Sequence, residues 1–250
     1  MKIILSPAKK MVSDTDSLAP VNVPKHMDQT AAILSFMKSQ SKEELKAVWK
    51  CNDKIAEQNF HRLETMDLYR GLTPAVLSYE GIAFQYMAPA VFEIQQFEYL
   101  QNHLRILSAF YGILKPLDGV TPYRLEMQAK AEIEETTNLY DYWGDRLYHS
   151  VIDDSRIIIN LASKEYSKCI EKYLTPQDRY ISVTFCEASG DKMVTKGTYA
   201  KMARGEMVRF MAENNIENPL DIKKFDRLGY SFRSDLSSET EYVFERKIKQ

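Results

Sequence analysis

The chain opens on a short apolar run, Lys2–Leu5, cut off by Ser6-Pro7, which is the pattern of a buried strand. Positions 11–27 are mostly polar and carry Pro20 and Pro24, so they read as a long loop. Ser41-Lys42-Glu43-Glu44 has the form of a capping box. Behind it Leu45, Val48, Ile55 and Leu63 recur near helical spacing, which predicts one or two helices. Residues 75–79 read as a strand. Phe97, Leu100, Leu104, Leu107 and Tyr111 step by three or four, which predicts an amphipathic helix that stops at Gly112.

The second half carries more strand. Positions 156–160 hold three consecutive isoleucines, as a central strand buried on both faces would. Residues 180–185 read as the next strand, and Ser189-Gly190-Asp191 as a hairpin turn into residues 192–196. Residues 199–214 are helical, and residues 230–233 and 242–245 read as two short closing strands. There is no internal repeat, low-complexity tract or linker. Strands at both ends with helices between them predict a single α+β domain over residues 1–250, built on a mixed β-sheet.

Composition narrows the function classes. With 44% apolar and 27% charged residues, the chain has the make-up of a soluble globular protein. Its net charge of −2 creates no global field toward nucleic acid or membrane, so any attraction to phosphate has to come from a local patch. There is no transmembrane span, and the run of three apolar residues after Lys2 is too short for a signal-peptide core, so no membrane partner and a cytoplasmic location are expected. Cys51, Cys169 and Cys186 lie far apart, as do His26, His61, His103 and His149. No disulfide framework, metal site or cofactor is indicated by their spacing.

Two stretches raise a binding chemistry. In "SAFYGILKPLDGVTPYRLEM" (residues 108–127), Leu107, Phe110, Gly112 and Ile113 match the pattern of a helix-hairpin-helix turn, in which apolar residues lock two helices and a glycine brings backbone amides up to a phosphate. Pro116 can begin the second helix and Lys115 would add a phosphate contact, but Leu114 stands where that pattern has a second glycine. The competing reading is a helix C-cap followed by a packed turn. In residues 192–211, Lys192, Lys196, Lys201, Arg204 and Arg209 face a single acid, Glu206. At ~100° per residue, Lys201, Arg204 and Arg209 share one face and Tyr199, Ala203, Met207 and Phe210 the opposite one. Gly205 lies on the basic side, where it would let a ligand approach the backbone. Glu206 falls toward the apolar side, where a buried arginine or a flared edge could accommodate it. A plain solvated face is the alternative for this helix.

Five segments in one order carry a resemblance: Ser6-Pro-Ala-Lys9 after the first strand, "FYGILKPLD" running into "PYRLEM", "YDYWGD" at residues 140–145, "INLASKEY" at 159–166 and "KMARGEMVRFM" at 201–211. Together they resemble the YaaA family of peroxide-stress proteins, nearly from end to end. The resemblance implies a cytoplasmic protein that helps cells survive hydrogen peroxide by limiting unincorporated iron and the oxidative damage it causes. It also implies a single α+β domain with a positively charged cleft and a helix-hairpin-helix element, both ascribed to DNA binding. Carried over, the hairpin falls on residues 107–114, and the cleft includes Lys9, Arg124, Lys201, Arg204 and Arg209.

The same segments hold groups that chemistry uses: Ser6, Lys9, Arg124, Glu126, Trp143, Asp145, Asn160 and Ser163. Asn160 and Ser163 sit at the end of a central strand, where sites in sheet proteins gather. Ion pairs that merely fix loops are the competing account of Arg124, Glu126 and Asp145. Three functions follow: a DNA-binding stress protein that grips phosphates through the hairpin and cleft, an enzyme acting on a nucleotide, nucleobase or phosphorylated small molecule in that cleft, and an iron-handling protein. Ser6, Lys9, Arg124, Glu126, Asp145, Asn160, Ser163, Lys201 and Arg204 are expected, for the most part, to line one cleft.

Overall fold

The computed structural model describes residues 1–190 and 192–247. Its strands are β1 (Lys2–Leu5), β2 (Lys10–Met11), β3 (Thr73–Pro74), β4 (Tyr79–Glu80), β5 (Leu104–Ser108), β6 (Gly112–Leu114), β7 (Gly119–Val120), β8 (Ile157–Asn160), β9 (Arg179–Ser189), β10 (Lys192–Val194), β11 (Tyr230–Phe232) and β12 (Glu241–Arg246). Its α-helices are α1 (Met27–Ser39), α2 (Lys42–Trp49), α3 (Asp53–Glu64), α4 (Ala75–Ser78), α5 (Ile82–Met87), α6 (Ile94–His103), α7 (Leu139–Trp143), α8 (Arg146–Val151), α9 (Lys164–Glu171) and α10 (Gly197–Glu213).

Among the described residues, eight strands form one mixed sheet in the order β11-β12-β9-β8-β1-β5-β6, with β10 hairpinned onto β9. The five middle strands run parallel to their neighbours, and the two outermost, β6 and β11, run antiparallel. This is the α+β fold with a mixed sheet that the strand pattern predicts. β1 and β8 lie at its centre, and Ile3, Ile4, Ile158 and Ile159 are fully buried. That explains their unbroken apolar runs: a parallel strand covered on both faces has no polar side to alternate with. The hydrophobic core is continuous from Met1 to Phe244. No helix among the described residues is long and apolar enough to cross a membrane.

Several predicted elements hold. Ser41 caps α2, with its hydroxyl accepting the Glu44 amide while the Glu44 carboxylate accepts the Ser41 amide. The hairpin from β9 to β10 lies where expected, with Ser189 opposite Lys192, although Asp191 of its turn lies outside the described residues. Two expectations are overturned. Residues 75–78 are a short helix, and only Tyr79 continues into a strand. The helix predicted to run to Tyr111 ends at His103, and residues 104–108 are strand.

The second correction removes the helix-hairpin-helix. Leu107 and Ile113 face each other across an antiparallel β-hairpin, β5–β6, whose turn is residues 109–111. Every residue of β5 is buried, so its apolar positions satisfy a helical spacing as well as a strand's. The turn is held by Ser108, whose Oγ accepts the amides of Phe110 (3.2 Å) and Tyr111 (2.9 Å) and pairs with the Tyr123 hydroxyl at 2.7 Å. Gly112 does adopt positive φ, at +75°, but for packing: a Cβ there would stand 2.6 Å from the Trp143 ring. The Trp143 indole in turn donates to the Ala109 carbonyl at 2.9 Å. Thus "SAFYGILKPLD", "PYRLEM" and "YDYWGD" meet at one buried corner of the sheet.

Candidate functional site

β1 and β8 run parallel and end side by side, and the chain after each turns into a loop: Ser6-Pro7-Ala8-Lys9 after β1, Leu161-Ala162-Ser163 after β8. Beside them open a cavity of about 380 Å³ whose walls also take in residues 123–126, the start of α5 and Lys201 and Arg204 of α10. A crevice beyond the carboxyl ends of parallel strands is where ligands of sheet proteins commonly bind.

The two loops are tied together across the mouth of the sheet. Ser6 Oγ accepts the Ser163 amide at 2.8 Å and donates to Ser163 Oγ at 3.1 Å. Ser163 is the N-cap of α9 but its side chain makes no cap bond, and Ser6, from the loop after β1, holds the amide of this N-cap residue. On the opposite wall Glu126 bridges two cations: its carboxylate takes Lys9 Nζ at 2.7 Å and Arg124 Nη2 at 3.1 Å. One partner is two residues away and the other more than a hundred, so this cluster both fixes its loop and brings distant segments together. Glu165 also lines the cavity. Burial raises its pKa and the Glu126 charge adds to that, against the pull of the Gln128 amide. A carboxyl held this way keeps its proton to a higher pH than a free one.

Arg204 differs from the other cations. Its Nε is buried without a hydrogen-bond partner, as is the Nε of Arg124, but Arg124 pairs with Glu126, whereas burial alone lowers the Arg204 pKa with no neighbouring carboxylate to offset the loss. Lys201, one helical turn earlier, is exposed at the rim. Gly205 beside them is not a point of ligand approach. It lies where α10 crosses α5, and a Cβ there would stand 1.9 Å from the Ala83 carbonyl oxygen. Glu206 pairs with Arg227 at 2.9 Å.

Of the nine residues expected in one cleft, Ser6, Lys9, Arg124, Glu126, Ser163, Lys201 and Arg204 line this cavity. Asn160 is buried and lines a second cavity that also reaches Arg204. Asp145 stands apart at the start of α8, exposed and facing His149 at 3.4 Å. Trp143 is buried in the core. Of the residues assigned to DNA, Leu107, Phe110, Gly112 and Ile113 are buried in the hairpin. Lys115 is exposed, and Arg209 lines neither cavity but pairs with Glu213 at 2.7 Å. Tyr123, Tyr166 and Glu165 also line the cavity and were not among the candidates. All three lie in or beside the quoted segments, but two tyrosines read as core residues until the fold shows a ligand-sized space against them. Among the described residues no group of three His, Cys, Asp or Glu side chains could hold a metal ion.

Comparison with known proteins agrees with the motif order. The family model described as peroxide stress protein YaaA matches residues 1–236. A UPF0246 protein of Agathobacter rectalis is 79% identical over 99% of this chain and 100% of its own length. UPF0246 proteins of Lachnoclostridium phytofermentans and Desulfitobacterium hafniense are 55% and 50% identical, over 98% and 100% of this chain and 96% and 100% of theirs. With end-to-end matches in sequence and a family model over nearly its whole length, this chain belongs to the YaaA family of peroxide stress proteins.

Proposed function

We propose that this peroxide-stress family member acts through the cavity at the ends of β1 and β8, as a binding site for a nucleotide or another phosphorylated small molecule. The observation that carries the reading is Arg204. Its guanidinium cannot shed its charge, and leaving the buried Nε–H unpaired costs about 1–3 kcal/mol in principle. An anion in the cavity supplies the missing acceptor. Arg offers a planar fork of donors suited to phosphate. The apolar side of the cavity, with Leu5, Ile82 and Phe84 beside Tyr123 and Tyr166, suits a flat ring attached to that phosphate.

The test is a calorimetric titration with a nucleoside monophosphate, the matching nucleoside and inorganic phosphate. The monophosphate is expected to bind most tightly. Arg204→Gln should weaken it about tenfold or more, the cost of one charge-assisted hydrogen bond, and Arg204→Lys should restore part of the loss. Equal affinity for nucleoside and nucleotide, or an Arg204→Gln variant that binds as well as the parent, overturns the reading.

A second reading, non-specific binding of DNA through its phosphates, is favoured by the rim. Lys9, Lys10 and Lys201 are all exposed around the opening. Lys9 and Lys10 already hold Glu126 and Glu80, which limits what they can add to a DNA contact. Limiting iron-dependent damage is the role proposed for either activity in the cell. Direct iron binding has no support from the geometry.

A further inference from the structure

On the far side of Arg204 lies a second cavity, of about 480 Å³, whose chemistry differs from the first. The segment after β8 separates the two. Leu161, Ser163 and Glu165 line the first cavity, and Asn160, Ala162 and Lys164 line the second. This is the alternation of an extended chain carried into the first turn of α9. Arg204 lines both.

Resting on the reading of the first cavity as an anion site, we propose that the two cavities are the chambers of one site, and that its ligand carries an internal phosphate: a phosphodiester or diphosphate with a ring substituent in the first chamber and a hydroxylated substituent in the second. The second chamber is built for hydroxyl groups. Asn160, Ser182 and Glu241 stand in one row across β8, β9 and β12. The Asn160 side-chain oxygen accepts the Ala162 amide at 2.9 Å, while its NH2 group has only a long 3.5 Å contact to Ser182 Oγ, so its donors have capacity left. Glu241 accepts the Thr184 hydroxyl at 2.8 Å and Glu171 the Tyr180 hydroxyl at 3.1 Å. Each carboxylate has lone pairs beyond those, and carboxylates take hydrogen bonds from sugar-like hydroxyls. The same two carboxylates offset the charge of Lys164, which also lines this chamber, so the chamber offers a terminal phosphate no net positive charge of its own. The charge therefore belongs at Arg204, between the chambers, with neutral groups beyond it.

Three probes distinguish the sources of such a ligand: a nucleoside monophosphate, a nucleoside diphosphate sugar and a dinucleoside monophosphate, each titrated into the full chain. At least one of the two-sided probes is expected to bind about tenfold more tightly than the monophosphate. The stronger of the two identifies the second substituent. Ser182→Phe, which fills the second chamber, should bring that ratio down to about one. Glu241→Gln, at an exposed strand end, should lower the ratio in the same direction if the bulkier variant does not fold. Two-sided probes that bind no better than the monophosphate, or a preference untouched by both variants, overturn the two-chamber site while leaving the single-cavity reading standing. Binding of no probe, with Arg204→Gln behaving as the parent, removes both.

Discussion

Gly205 and Asp118 show how much one position can hide. In a basic helix, a glycine invites the idea of a ligand against the backbone, yet what approaches Gly205 is the carbonyl of Ala83. Gly205→Ala gains helix propensity of roughly 1 kcal/mol but forces α5 away from α10. A net loss of about 1–3 kcal/mol is expected in urea unfolding. Ligand affinity should fall with it, because Ile82 and Ala83 line the cavity. A variant more stable than the parent would show that the helices separate freely. Asp118 is 4% exposed and accepts the Lys115 amide at 2.8 Å. Burial nevertheless pushes its pKa up to about 6 from 3.8. The native state therefore holds this proton more tightly than the unfolded chain, and its stability falls as pH rises from about 4 to about 6. Two pH units correspond to about 3 kcal/mol at most. Asp118→Asn keeps an acceptor and removes the charge. Its stability advantage over the parent should be absent near pH 4, grow to pH 6 and stay constant above, in urea midpoints measured side by side. An advantage that shrinks with rising pH contradicts the assignment.

Elements were legible where one face is wet and ambiguous where none is. The capping box of α2 and the basic side of α10 announce themselves through polar residues at fixed offsets. β5 offers no such contrast: Leu104–Ser108 is buried throughout, so its leucines fit a helix or a strand equally. The decisive information lies outside the segment, in Ser108 and Tyr123, which meet only in the folded chain. A sequence pattern that tests local spacing cannot see that contact, and so the β-hairpin matches a helix-hairpin-helix pattern as well. Ser108→Ala checks the corrected account. It strips the acceptor from two buried amides and one partner from the Tyr123 hydroxyl, whose other partner is Tyr79 at 2.8 Å. A loss of about 1–3 kcal/mol is expected in urea unfolding. Stability equal to the parent would mean that the turn closes without Ser108.

At the scale of the whole molecule, the five segments proved more informative than any element. Charged and hydroxyl residues spread from Ser6 to Arg204 converge because β1, β8 and α10 converge, and the order of polar residues at strand ends carried that signal. Whether a segment supports the cavity or lines it was not legible: Trp143 and Asp145 sit among those same motifs, yet Trp143 packs behind the β5–β6 turn and Asp145 stands exposed beside His149. The convergence also separates the two readings of function, because depth decides which phosphate can reach which cation. A duplex cannot enter a cavity of about 380 Å³, so under the DNA reading a duplex would reach the rim lysines Lys9, Lys10 and Lys201 and not the interior. Each neutralised phosphate contributes roughly 0.9 to the slope of log affinity against log salt, so a slope of no more than about 3 is expected for duplex DNA. Lys201→Gln should flatten that slope by about 1 for every sequence alike. Arg204→Gln should leave duplex binding nearly unchanged while weakening the small phosphorylated ligand, because its guanidinium faces inward. A much steeper slope, or duplex affinity lost with Arg204, would place the DNA backbone inside the cleft and make a deep groove, rather than a closed pocket, the working surface of this protein.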